Sequence, residues 1–172
     1  KALIGRLFDH YFEINEGIGV NKSPELYGAF STDAYSHTPG GKGAQQPGMT
    51  GQVKEDLLSR WGELGVEVRE GILIFDPFML RQDEFLTVKQ VYVYVNVVKE
   101  RCSIELEKDS LGFTYCQVPI IYQTSQNSKI EVHYNDGTRR VIEGNQLDLT
   151  VSRMIFKRTH EIHKLVVFLI ID

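Results

Sequence analysis

The sequence predicts an α+β fold: a helical segment first, then an antiparallel β-sandwich of the jelly-roll kind. Three observations carry this. Apolar residues recur at helical spacing in two stretches before Gly65, the hydrophobic period changes to two near Phe85, and turn signals then follow at short intervals. On this reading 1–65 is a helical segment with a long Gly/Gln/His loop, 66–84 is a hairpin linker, and 85–172 is the β domain.

The 172 residues carry a net charge of −4 and no basic block or stripe, so no nucleic-acid partner is expected. No apolar run reaches transmembrane length and no signal peptide is visible, so no membrane partner is expected either. Cys102 and Cys116 form no disulfide framework and no CxxC pair. They read as ordinary strand residues or as one bridge across a hairpin, and spacing does not choose between these. The chain opens on Lys1 inside a helical pattern, and the expectation is a piece of a longer polypeptide.

In the first helix, about Ala2 to Ile14, Leu3, Ile4, Leu7, Phe8, Tyr11 and Phe12 mark one apolar face that needs a partner surface. Gly17 and Gly19 end it. Ser23 and Pro24 open a short helical turn, and 30–49 is loop. Thr50 is a good N-cap for a second helix whose Val53, Leu57, Trp61 and Leu64 form its apolar face, with Gly65 as its stop. "VEVREGILIFDP" reads as a hairpin turning at Glu70-Gly71 and ended by Asp76-Pro77.

Beyond it, "FLTVKQVYVYVNVVK" reads as one long strand. Val91, Val93, Val95 and Val97 lie on one face, Tyr92 and Tyr94 on the other. "RCSIELEK" turns Cys102, Ile104 and Leu106 inward, and "GFTYCQVPII" continues the series. "KIEVHYNDGTRRVI" is a hairpin around Asn135-Asp136-Gly137. "QLDLTVSRMIF" and "HKLVVFLII" read as the last two strands.

The loop "SHTPGGKGAQQPGMTG" places neutral hydrogen-bonding side chains just ahead of a helix start. A helix N-terminus offers free N–H groups and partial positive charge, which favour an anion or a polarised oxygen. Thr50 can donate its hydroxyl, and Gly51 lets a ligand approach the backbone. His37, Gln45 and Gln46 add neutral donors and acceptors, and Tyr35 can stack on a sugar ring. The competing reading makes Thr50 a plain cap, His37 and Tyr35 loop packing, and the glycines turn residues. Glu55 lies off the apolar face and reads as solvent-facing, with a weaker reading as a general base. "HEIH" (160–163) departs from the zinc-protease HExxH pattern, so no metal is expected.

The run from Gly48 to Val93 resembles the last barrel helix and exit hairpin of six-hairpin, (α/α)6-barrel glycosidases, and is most similar to the cellobiose phosphorylase type. The motifs are Thr50-Gly51, Leu64-Gly65-Val66, Gly71-Ile72-Leu73-Ile74-Phe75-Asp76-Pro77 and Phe85-Leu86-Thr87-Val88. The likeness implies that 1–65 is the remnant of an (α/α)6 barrel whose remainder lies upstream. It implies a disaccharide or oligosaccharide substrate, no cofactor, and inorganic phosphate as co-substrate in an inverting attack on the anomeric carbon. An upstream Asp, absent from this chain, would protonate the leaving sugar. By the same likeness Thr50 and Gly51 would hold the phosphate, with His37 and Gln45 or Gln46 as companions.

"QVKED" departs from the more apolar helix start of that family. A hydrolase of the same clan, in which a carboxylate activates water, therefore stands as an alternative. So does a non-catalytic carbohydrate-binding β-sandwich module, for which a solvent-facing row at Tyr92 and Tyr94 would be the sign. A purely structural domain would bind no ligand.

Overall fold

The computed structural model describes residues 52–170, with side chains from Leu57 onward. Two compact units, 1–61 and 62–172, divide the chain. The helix of 2–14, the turn at Ser23-Pro24 and the loop of 30–49 with its Thr50 cap lie outside the described residues. Helix α1 (Gln52–Glu63) follows. On its expected apolar face Leu64, just past the helix, is buried, whereas Leu57 is 58% exposed.

The stop at Gly65 stands where expected. Its φ of +61° belongs to the left-handed region, and its N–H donates to the Gly62 carbonyl at 3.0 Å. A Cβ here would lie 2.1 Å from the carbonyl carbon of Asp76, so only glycine fits. The Asp76 N–H in turn donates to the Gly65 carbonyl at 2.8 Å. Strands β1 (Val66–Arg69) and β2 (Ile72–Phe75) pair between these clasped ends. Glu70 and Gly71, both at positive φ, make the mirrored turn whose twist suits a two-residue hairpin.

A short 3₁₀ turn, Gln82–Glu84, leads into β3 (Gln90–Val95) and β4 (Arg101–Leu106), which pair as a separate ribbon. The expected strand is shorter than its valine alternation suggests, because Asn96 turns the chain. Cys102, Ile104 and Leu106 are the shielded positions of β4, as its alternation predicts, while Val91, Val93 and Val95 are exposed.

The remaining strands, β5 (Ser110–Tyr115), β6 (Val118–Thr124), β7 (Lys129–Tyr134), β8 (Arg139–Glu143) and β9 (Ile162–Leu169), form one sheet in the order β5-β6-β9-β7-β8. The β7–β8 hairpin turns where expected, with the Gly137 N–H donating to the Tyr134 carbonyl at 3.1 Å. The final apolar run is the central strand, with Leu165, Val167 and Leu169 all buried on one face.

Two expectations need correction. The sheet is mixed rather than wholly antiparallel, since β9 runs parallel to β6 and antiparallel to β7. "QLDLTVSRMIF" is largely helix α2 (Leu149–Lys157), not strand. Asp148 caps it by accepting from the Val151 N–H at 2.9 Å, and Leu147, Val151 and Ile155 are buried at four-residue spacing. The α+β class holds, and the strands of the described residues form one five-stranded sheet with two two-stranded ones, β1–β2 and β3–β4.

One face of that sheet carries Ile120, Tyr122, Ile130, Val132, Leu165 and Val167, all fully buried. The β1–β2 hairpin and α2 cover it. Phe75 meets the Tyr122 ring edge-on with centroids 6.0 Å apart, and the Leu73 N–H donates to the buried Ser152 Oγ of α2 at 3.0 Å. Removing each such apolar side chain from water stabilises the fold by about 1.5–3 kcal/mol. The Tyr122 hydroxyl donates to the Leu64 carbonyl, fixing the residue after α1 to the sheet. The β3–β4 ribbon packs on the other face, where a Cβ at Gly112 would come within 2.6 Å of Leu106 Cδ1.

Candidate functional site

Most of the sequence-predicted site lies outside the described residues: Tyr35, His37, Gln45, Gln46, Thr50 and Gly51 all do. Glu55 falls on α1, but its side chain is likewise outside the description. Cys102 and Cys116 are both free thiols, so the hairpin bridge does not form.

Among the described residues, a cleft of about 470 Å³ with a mixed polar and apolar lining opens where four connections converge. Its walls come from the β3–β4 loop, the β5–β6 turn, the start of the β7–β8 turn and the α2–β9 loop. Each is built by local chemistry. Asn96 pins the first: its Oδ1 accepts from the N–H groups of Val98 at 3.0 Å and Glu100 at 2.9 Å, an Asx turn. Its Nδ2 donates to the Cys102 Sγ at 3.4 Å.

The β5–β6 turn is Cys116-Gln117, at φ +48° and +65°, a mirrored hairpin turn with neither Gly nor Asn at its centre. Such φ values cost a non-glycine residue roughly 1–2 kcal/mol each. The Gln117 side chain offsets part of this by donating from Nε2 to the Asn96 carbonyl at 3.0 Å, which ties the turn to the first loop. The other two walls are tied in the same way. Asn135 donates from its backbone to the Glu161 carbonyl at 2.9 Å, and from Nδ2 to the His160 carbonyl at 2.6 Å. Lys99, Arg158 and His160 in these loops also stand at positive φ. Left-handed backbone gathered at one rim of a fold marks a place where shape is held against local preference.

Tyr94 lines the cleft from β3 and is 8% exposed. It stacks on Tyr92 at 6.1 Å, with the rings 11° from parallel, and Tyr92 reaches Thr114 of the sheet. Burial, with Cys102 and Tyr92 beside it, pushes the Tyr94 hydroxyl above its usual range, so it stays protonated. The pair is therefore packed between ribbon and sheet and is not the solvent-facing row that a flat binding platform needs. Burial, and then Lys164, holds the His163 ring below its usual value, so it is neutral at pH 7. Glu100 supplies the carboxylate of this lining.

A second cleft, about 490 Å³, lies between the Asp76–Leu80 segment, Ser128, Gly144-Asn145 and the end of β9 at Ile170.

Sequence reasoning passed over the loop cleft because it read "GFTYCQVPII" as one strand. The signal was present. The inward residues run Phe113 and Tyr115 and then Val118, Ile120 and Tyr122, a phase change that requires a two-residue turn between them. Among the described residues no group of three His, Cys, Asp or Glu is placed to hold a metal ion, and no helix is long and apolar enough to cross a membrane. No protein-family model matches the chain, and no curated protein matches it.

Proposed function

We propose that this chain is the C-terminal part of a carbohydrate-active enzyme that cleaves glycosidic bonds. On this reading 1–65 closes an (α/α)6 barrel and the β module buttresses it. Inorganic phosphate attacks the anomeric carbon with inversion, held at the Thr50-Gly51 helix start, while an upstream carboxylic acid protonates the departing sugar oxygen. Donors at a helix start favour phosphate, whereas a fixed carboxylate base would repel it.

One observation supports the reading. The residues that carry the resemblance are those of the joint between the helix end and the β module. Gly65 and Asp76 clasp the two ends of the hairpin, Tyr122 fixes the Leu64 carbonyl, and Leu73 and Phe75 fill the core beneath α2. A hydrolase of the same clan is the second reading, in which a carboxylate activates water in place of the attacking phosphate.

The test incubates the longest polypeptide that carries this chain with a panel of disaccharides, with and without inorganic phosphate. Release of sugar-1-phosphate that needs phosphate is the expected result. Phosphate-independent release of free sugar makes the enzyme a hydrolase. Absence of turnover on every disaccharide overturns both enzymatic readings and leaves the non-catalytic carbohydrate-binding module, of which the loop cleft would be the natural binding site.

A further inference from the structure

We infer that the loop cleft is a binding site for a neutral polyhydroxylated ligand, a single sugar ring of a glycan, separate from the Thr50-Gly51 helix start. The ligand's name as a sugar rests on the carbohydrate reading above; its chemistry as a neutral polyol follows from the cleft itself.

The lining mixes both kinds of hydrogen-bonding group. Gln117 commits Nε2 to the Asn96 carbonyl and Asn135 commits Nδ2 to the His160 carbonyl, which turns their side-chain oxygens to use as acceptors. Glu100 gives one Oε to Asn96 Nδ2 at 3.3 Å and keeps a second acceptor. Ser103 and the two imidazoles, His160 and His163, add groups that donate as well.

An inorganic anion would satisfy only the donors and would meet the Glu100 carboxylate. A simple cation would satisfy only the acceptors. A hydroxyl donates and accepts at once, so a polyol can serve both sets. Tyr94, 8% exposed and backed by the stacked Tyr92, presents only its edge to the cleft and closes its floor with apolar surface for one C–H edge of a ring. The volume falls within the range of small-molecule sites. The walls are also fixed beforehand by Asn96, Gln117 and Asn135, so little loop order remains to be gained on binding.

The experiment is an amide NMR titration of the full chain with D-glucose, D-galactose, D-mannose and cellobiose, with inorganic phosphate as a charged comparator. At least one sugar should give saturable shifts, at millimolar concentration, centred on residues 96–103, 116–117 and 160–163. Glu100→Gln is at the exposed rim, keeps the side chain's shape, and should weaken that binding about fivefold, the difference between a hydrogen bond to a charged acceptor and one to a neutral acceptor. Tyr94→Ala should abolish it. Because Tyr94 is packed, its variant counts only where the spectrum stays native, and Glu100→Gln carries the test otherwise.

Shifts that stay linear for all four sugars, saturation by phosphate in their place, or sugar binding indifferent to Glu100→Gln would overturn the assignment. Binding requires no turnover. A chain that saturates here in an inactive parent keeps this site and loses the enzymatic reading, and an active parent with no saturation here does the reverse.

Discussion

Tyr122 shows how much one side chain can organise. It is fully buried, packs edge-on against Phe75 and Phe113, and spends its hydroxyl on the Leu64 carbonyl. Burial, with Asp76 nearby, raises its pKa far above the ordinary tyrosine range, so the hydroxyl is a donor at any working pH. Tyr122→Phe keeps the ring and strands the carbonyl. It should cost about 1–3 kcal/mol, read as a lower denaturant midpoint at unchanged slope. An unchanged midpoint would mean that water replaces the hydroxyl at no loss. Gly65 works beside it by different physics, since it combines a left-handed φ with the closest approach to Asp76.

Among the elements, α2 is the one the sequence concealed. "QLDLTV" alternates like a strand, and alternation is what a reader of period two finds. The helix forms because Asp148 caps it, Ser152 bonds back to the Asp148 carbonyl at 2.8 Å, and Val151 and Ile155 reach the core only at helical spacing. The Glu70-Gly71 and Asp136-Gly137 turns were legible because glycine marks positive φ in the sequence itself. The Cys116-Gln117 turn was not, because its φ is held by a bond from Gln117 to a loop 21 residues away. The loop cleft stayed hidden for that reason, as it is made by such long-range ties. Asp148→Ala removes the cap and its pairing with Arg140, and should lower stability by about 1 kcal/mol in thermal or denaturant unfolding. Loss well under half of that would show that tertiary contacts alone hold the α2 start.

Across the whole molecule, the two faces of the sheet have different chemistry, and this sets a pH response. The face under α2 is apolar. The opposite face carries Glu131, ringed by Lys129 at 2.9 Å and Arg139 at 3.3 Å. Burial opposes ionisation of Glu131, but these cations outweigh it and hold its pKa below the usual value. His133 stands 3.5 Å from the same carboxylate, with its Nε2 buried and short of a hydrogen bond. Burial, then Lys164 and Arg139, outweigh the pull of Glu131 and lower its pKa, as burial and Lys164 do for His163.

A lowered imidazole favours the fold fully above the unfolded value of 6.5, and that contribution is lost as pH falls from 6.5 toward the folded value. A lowered carboxylate is lost later, as pH falls below 4.5 for Glu131 and below 3.8 for Asp148. Stability should therefore decline in two stages on acidification. His133→Gln should flatten the first stage, and a decline confined to pH below 4.5 in the unaltered protein would contradict this.

The proposed phosphorylase reading makes one direct prediction about chemistry. The first measurement to make is the yield of sugar-1-phosphate from a cleaved disaccharide in the longest polypeptide carrying this chain, for the natural sequence and for Thr50→Val. The expected result is one sugar-1-phosphate for each sugar released, falling at least about tenfold in Thr50→Val with most of the loss in apparent affinity for phosphate, as removal of one charge-assisted hydrogen bond requires. Equal phosphate dependence with and without the Thr50 hydroxyl, or release of sugar with no sugar-1-phosphate, would contradict it.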